Sequence, residues 1–471
     1  MMRLRKLILI PVMMIALAGG LTSCGEDRWP EYAPMIELDT WIYDTMQQNY
    51  LWYDKMPPYD DLNLFVDPAS FLSKAKASND SYSSADSVMS TPLPAYGFDY
   101  SLVRSQDIDT AYNALVTYVI PNSPADQAGL KRGDWIMKVD TCYISKKYEE
   151  QLLQGSQARE LSMGVWKEVI PEDEETEEGE EPDPIYKVVP NGETLQIGAA
   201  QTVEDVPLHS TAILELSTQE KVAYLMYNSF TAGTADDPEK YNNQLRDWSV
   251  QIAGQNIHKL ILDLRYNAGG TLDCVQLLST ILVSPAFLDQ PMTYLEYNDK
   301  NTHRNTSLTF DSQLLKQGKN LDINTLIVLI SGETVGAPEM LMHSLNGKIP
   351  AVIAIGSNTK GQNVATERFV NEKHLWAVNL AVCTVYNSEY ITYGGFQPTY
   401  AVSTSTDYSS FLPFGNPDEA LLKVAIGVLE GTYPPEDTDT PEQEQSLHIE
   451  KEVHCPASRQ FTKGLLFGTV R

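Results

Sequence analysis

Basic residues are scarce in this chain: 34 Lys and Arg stand against 63 Asp and Glu, a formal charge of −29 over 471 residues. Nucleic acid is thereby excluded as a partner, because phosphate contacts are built from clustered Lys and Arg. Cysteine is scarcer still. Cys24, Cys142, Cys274, Cys383 and Cys455 form no CxxC pair and no regular spacing, so neither a disulfide framework nor a zinc site is expected. Cys274 and Cys383 sit among apolar residues and read as small core side chains. No metal or other cofactor is implied anywhere. After residue 24 there is no apolar run long enough to span a bilayer.

The start of the chain is a targeting segment rather than fold. Arg3, Arg5 and Lys6 precede the apolar stretch Leu7 to Ala18, and Leu21-Thr22-Ser23-Cys24 resembles a lipobox. Residues 1–23 are then a lipoprotein signal peptide and Cys24 the lipidated first residue of the mature chain. The alternative is an ordinary secretory signal with a chance cysteine. Each buried acyl methylene contributes about 0.8 kcal/mol, so a multiply acylated Cys24 would hold the protein on a membrane face by its anchor alone. The expected location is the cell envelope, on the periplasmic or the outer side.

Four further regions follow. Residues 24–91 hold a tether and then a helical pattern with Trp41, Tyr43, Tyr50, Trp52 and Tyr53. There Asp67-Pro68 reads as a cap followed by proline at the first helical position. Residues 92–206 contain Val119-Ile120-Pro121-Asn122-Ser123-Pro124-Ala125-Asp126-Gln127-Ala128-Gly129-Leu130-Lys131-Arg132-Gly133-Asp134-Trp135-Ile136. That run reads as a strand, a short helix ended by Gly129, a turn through Gly133, and a second strand. It resembles the PDZ module of bacterial proteases. By that resemblance Gly97 and Phe98 lie where such a module receives a peptide, which adds to an exposed sheet edge; a purely structural module with a closed groove is the alternative. The stretch 171–184 has nine acidic residues between Glu172 and Asp183 and no basic one, and is expected to be a solvated loop. Residues 207–431 alternate strands with helices, the pattern of a layered α/β domain. In 432–471, Tyr433 to Pro441 is an acidic linker, and the last residues show no period and suggest no role.

Chemistry concentrates in three motifs of the α/β region. Asp263-Leu264-Arg265-Tyr266-Asn267-Ala268-Gly269-Gly270 leaves a buried strand through a Gly-Gly turn into a helix, whose free N–H groups could stabilise an oxyanion. Ile330-Ser331-Gly332-Glu333-Thr334-Val335-Gly336-Ala337-Pro338-Glu339 follows the apolar run Leu326 to Leu329 as a strand, a turn and a helix. The third is Gly356-Ser357-Asn358-Thr359-Lys360-Gly361-Gln362-Asn363-Val364.

Together with the PDZ-like unit, these motifs resemble the tail-specific, or C-terminal-processing, serine peptidases over roughly residues 36 to 431. The resemblance implies a multidomain α/β fold: a helical lead-in, a β-rich PDZ-like module and a layered protease core. It also implies a polypeptide ligand, taken through its C-terminus. In that family a serine of the second motif attacks the substrate and a lysine of the third takes its proton. Here the nucleophile position falls on Gly336 and the lysine position on Gln362. Glycine has no side chain to attack with, and a glutamine amide is no useful base near neutral pH. A slipped register could pair Thr334 or Ser331 with Lys360. Glu339 and His343 share a helix face but lack a third metal ligand, and adjacent His343 and Ser344 cannot face each other. The expectation is a homologue that binds extended or C-terminal polypeptide segments without cutting them; the alternative is an active endopeptidase with a displaced dyad.

Overall fold

The computed structural model describes residues 29–87, 94–170, 184–385, 395–402, 408, 411–433, 449–453 and 464–467. Cys24 with its leader, nearly all of the acidic stretch 171–184, residues 434–448 and Cys455 lie outside these. No helix among the described residues is long and apolar enough to cross a membrane.

The helical lead-in forms where the aromatic pattern predicts it. Helix Trp29–Asn49 buries Leu38, Ile42 and Met46, spaced four apart on one stripe. Helix Pro68–Ala75 starts on Asp67, whose side chain accepts from the Ser70 N–H at 3.0 Å, with Pro68 in the first turn where its missing N–H costs nothing. The lead-in is sewn onto the protease-like core. Strand Ser84–Ser87 pairs with Trp376–Thr384, and the Leu51 N–H donates to the Ala381 carbonyl.

The PDZ-like module is an antiparallel sheet of Phe98–Arg104, Tyr112–Val119, Trp135–Val139, Arg159–Val169 and Ile185–Ile197, with short helices Pro124–Gln127 and Glu149–Leu153. Ile136 and Val139 point into its core with Phe98, Tyr100 and Leu102.

The core domain is built on a sheet in the order Tyr400–Ala401, Ala351–Gly356, Thr325–Ile330, Lys259–Asp263, Lys221–Tyr227, Leu208–Glu215. All its pairings are parallel except the last. Strands of such a sheet are covered on both faces, which explains their unbroken apolar runs. Leu260, Leu262, Leu326 and Val328 face helices Lys240–Ala253, Leu272–Leu282 and Ala337–Leu345. The alternate residues Ile261, Ile327 and Leu329 face helix Ala420–Glu430.

A second sheet packs against this layer, in the order Gly269–Thr271, Gly464–Leu466, Val364–Asn371, Trp376–Thr384, Pro291–Tyr297, Thr306–Thr309. Two of the chain's strands come from the tail that showed no period. Ile449–Val453 lies on Phe98–Arg104, and Gly464–Leu466 sits between Gly269–Thr271 and Val364–Asn371. Segments of five and three residues are too short to carry a readable pattern.

Candidate peptidase-type site

Strand Thr325–Ile330 ends in a turn held by its own side chains. Ser331 Oγ donates to the Arg265 carbonyl and accepts from the Glu333 N–H at 3.1 Å. Thr334 Oγ1 donates to the Leu264 carbonyl at 2.9 Å and accepts from the Ser331 N–H at 3.0 Å. The Val335 N–H reaches the Asn267 carbonyl at 3.3 Å. Both hydroxyls of the slipped-register reading therefore donate to carbonyls of the first motif. Lys360 lends its backbone N–H to the Thr334 carbonyl at 3.1 Å, but its side chain is exposed and its ammonium bonds neither hydroxyl. The displaced dyad is not assembled here.

The turn ends at Gly336, with φ 73° and ψ −96°. This is a sharp strand-to-helix bend that an L side chain adopts only under strain and glycine adopts freely. Helix Ala337–Leu345 begins directly after it. Glu339, fully buried in its first turn, gathers the site. Its Oε2 accepts the N–H groups of Gly336 at 2.7 Å and Gln362 at 2.9 Å. Its Oε1 accepts the Gly361 N–H at 2.7 Å and Thr359 Oγ1 at 2.5 Å. Gly336 and Gln362, expected at the family's nucleophile and lysine positions, thus donate to one carboxylate oxygen. Burial raises the Glu339 pKa, and the four hydrogen bonds only partly oppose it. Gln362 is buried, and its Nε2 donates to the Val364 carbonyl at 2.8 Å.

One expectation changes. Gly269–Thr271 is a short strand, not a helix start, and helix Leu272–Leu282 follows it. The Gly269 N–H donates to Asn267 Oδ1 at 3.0 Å and its carbonyl accepts from Phe230, so it is no free donor. Gly270 has φ 139°, and a Cβ there would lie 2.2 Å from the Phe230 carbonyl oxygen, so its requirement is close approach of a protein backbone. Glu339 serves as a helix cap, accepting the Gly336 N–H, and half-buried His343 has its pKa lowered by burial. Among the described residues no group of His, Cys, Asp or Glu could hold a metal. Gly97 accepts the Ile120 N–H at 2.8 Å through its carbonyl, and Phe98 begins the strand on which Ile449–Val453 lies, with its ring inside the module. That strand therefore offers backbone, not the Phe98 side chain, to a peptide.

Sequence reasoning passed over a second constellation. Arg265 is bound bidentately to Glu419, with 2.9 Å between Nη2 and Oε2, and its Nε lies 3.0 Å from Asp263 Oδ1. Arg132 of the PDZ-like module comes within 3.5 Å of Glu419, donates to the Tyr266 hydroxyl at 3.0 Å and stacks on Phe411 and Phe414. Burial pushes the Glu419 pKa up, but Arg265 and Arg132 outweigh it and hold the carboxyl below its ordinary value. A cavity of about 220 Å³ opens beside this cluster, lined by Arg132, Arg265, Tyr266, Ser331 and Glu333 among others. Neither Gly336 nor Gln362 lines it. The signal available in sequence was Arg132, inside the PDZ-like motif, but its partner Glu419 lies nearly three hundred residues later.

The fold and site define a serine-peptidase scaffold with an attached PDZ module. Sequence profiles described as "Peptidase S41 N-terminal domain", "PDZ domain" and "Peptidase family S41" match residues 37–84, 115–167 and 221–402. A crystal structure of a "Putative S41 protease" from Bacteroides fragilis is 40% identical, with a TM-score of 0.75 over 83% of this chain and 97% of that one. The chain belongs to the S41 peptidase family. It is also 22% identical over 363 residues to a "Probable CtpA-like serine protease" of Staphylococcus aureus, and 24% identical over 253 residues to a "Carboxyl-terminal-processing protease" of Picosynechococcus. These alignments cover 74% and 53% of this chain and span 63% and 51% of those relatives' lengths.

Proposed function

We propose that this protein holds extended or C-terminal polypeptide segments without cleaving them, anchored at the cell envelope through Cys24. The observation that carries the reading is the shared carboxylate. Glu339 fixes the backbone at both Gly336 and Gln362, while neither position offers a hydroxyl or an amine. Covalent catalysis requires a nucleophile within hydrogen-bond reach of a base, about 2.6–3.2 Å. Ser331, Thr334 and Lys360 form no such pair. What remains is a set of sheet edges, and a polypeptide binds an edge through main-chain hydrogen bonds whatever the state of the nucleophile.

The test incubates the chain without residues 1–24 with a fluorophosphonate probe, an unstructured protein and peptides of varied C-termini. Expected are no labelling and no turnover, with saturable peptide binding. Turnover abolished by Thr334→Val or Lys360→Ala would establish the displaced-dyad endopeptidase instead. For the anchor, fatty-acid labelling in cells should disappear in Cys24→Ala.

A further inference from the structure

We propose that the tail strands Ile449–Val453 and Gly464–Leu466 are tethered polypeptide ligands of this protein, the first on the PDZ-like strand Phe98–Arg104 and the second beside Gly269–Gly270, so that any other polypeptide must displace them. This rests on the polypeptide-holding reading above and adds the identity of the resident ligand.

The first contact is at the module. Ile449–Val453 adds antiparallel to Phe98–Arg104, with Val453 opposite Tyr100 and Ile449 opposite Val103. The edge it takes is the one that begins at Gly97, and its direction puts its C-terminal end nearest Gly97. This is the geometry of strand addition, in which affinity comes from the main-chain ladder. Without Ile449–Val453, Phe98–Arg104 is the last strand of its sheet on that side among the described residues. An unpaired edge is a standing template for another chain.

The second contact is in the core domain. Gly464–Leu466 runs parallel to Gly269–Thr271, with Gly464 opposite Gly269 and Leu465 opposite Gly270. On its other side Leu466 is opposite Thr366, whose Oγ1 donates to the Leu465 carbonyl at 3.1 Å, and the Phe467 N–H donates to the Thr366 carbonyl at 2.9 Å. Leu465 is fully buried, and Phe467 stacks on Tyr297 with ring centroids 5.9 Å apart. The strand also packs beside helix Ala337–Leu345, whose first turn carries Glu339. The glycine pair does receive a polypeptide backbone, and that backbone is the chain's own.

A tether makes these short contacts sufficient. The residues between Gly431 and Ile449 are rich in Pro, Asp, Glu and Gln, a composition that does not form a core. A link of this length gives an effective concentration on the order of 1 mM. A tail strand of about 100 μM intrinsic affinity is then seated roughly ten times in eleven, which weakens an incoming polypeptide about tenfold.

The experiment compares the intact chain without residues 1–24, the same chain lacking 434–471, and its Lys451→Pro variant, since proline is not accommodated inside a strand ladder. The probe is a fluorescein-labelled peptide copying Ser446–Val453 with a free C-terminal carboxylate, read by anisotropy, beside peptides of varied C-termini. Expected is binding about tenfold tighter to the deletion and to Lys451→Pro than to the intact chain. Equal affinities for all three overturn the tethered ligand and leave the polypeptide-holding reading standing. No binding of any peptide to folded deletion protein overturns both. Hydrogen exchange decides the core contact: in the deletion, the Gly270 amide, whose neighbours Gly269 and Thr271 donate to Asn267 and Phe230, should exchange at least tenfold faster while Thr325–Ile330 stays protected. If Thr325–Ile330 loses protection too, the tail is a structural strand of the core and the proposal falls there.

Discussion

Glu339 and Glu419 are both buried glutamates at helix starts, and they are held by opposite means. Glu339 meets only neutral donors: three backbone N–H groups and one hydroxyl. Glu419 meets two arginines, one of them from the PDZ-like module. Burial raises the pKa of the first, while the arginines keep that of the second low. The first glutamate therefore fixes the shape of a chain turn and makes no demand on a nucleophile or a base. The second binds charges that belong to two parts of the fold. A turn can keep its geometry whatever side chains its other positions carry when a residue of the first kind holds it.

The strongest break of this comparison is Glu419→Ala. It leaves Arg265, 4% exposed, facing only Asp263, and strips Arg132 of its carboxylate. Removing one partner of a buried ion pair costs about 3–5 kcal/mol. Urea unfolding should show that loss, and less than about 1 kcal/mol would mean that the module and core are joined chiefly by the aromatic contacts of Phe411 and Phe414. The pH dependence follows from the sign of the shift. The folded-state pKa of Glu419 is depressed, so its stabilisation is present above the unfolded value and lost as pH falls through the folded one.

Glu339→Ala comes next. It leaves the N–H groups of Gly336, Gly361 and Gln362 and the Thr359 hydroxyl without their acceptor. An unsatisfied buried donor costs about 1–3 kcal/mol, and the turn can relax to recover part of it, so the expected loss is about 3 kcal/mol. The sign of its pH dependence is opposite to that of Glu419. With a raised folded pKa, its contribution is complete below the unfolded value and fades as pH rises through the folded one. Matching pH profiles for the two variants would erase the distinction between the two sites.

A third buried carboxylate sharpens the contrast by having neither kind of partner. Asp39, in helix Trp29–Asn49, is fully buried with no hydrogen bond to either oxygen from the described residues. Burial, with a smaller push from Asp67, raises its pKa to about 7. Stability from the protonated form is complete below the unfolded pKa near 3.8 and lost as pH rises through about 7. The full shift converts to about 4 kcal/mol at pH 8, of which Asp39→Asn should recover about 2, because the amide brings its own burial cost. Thermal melting should show that gain at pH 8 and none at pH 4.

How much of this was legible in the sequence varies with the range of the interaction. Strand Lys221–Tyr227, helix Lys240–Ala253 and strand Lys259–Asp263 show the alternation read for residues 207–431, because local pattern and burial agree. The Asp67 cap and the Gly129 helix end are equally local. Glu339 was visible as a residue but not as the acceptor for four donors, since three of those lie on the loop after Gly356. The strand character of Gly269–Thr271 was hidden for the same reason: its partners are Phe230 and the distant tail. Arg265 with Glu419 was beyond reach, because a pair so far apart in the chain leaves no periodic trace.

The last break is read in chemistry rather than stability: Gly336→Ser combined with Gln362→Lys puts the reactive groups of the resembled family on the backbone that Glu339 still holds. A serine at φ 73° costs about 1–2 kcal/mol by its Cβ and an amine at the buried position 362 adds to that, while no acceptor of the Glu339 cluster is removed. If that carboxylate alone preserves the shape, the double variant should gain fluorophosphonate labelling that neither single variant shows, because attack requires both a hydroxyl and a base. Labelling of Gly336→Ser alone would point to a base other than residue 362. No labelling of a folded double variant would show that holding Gly336 and Gln362 on one oxygen keeps the backbone but not the reach between their side chains, and the difference between a shape-holding and a charge-holding glutamate would then extend to the chemistry itself.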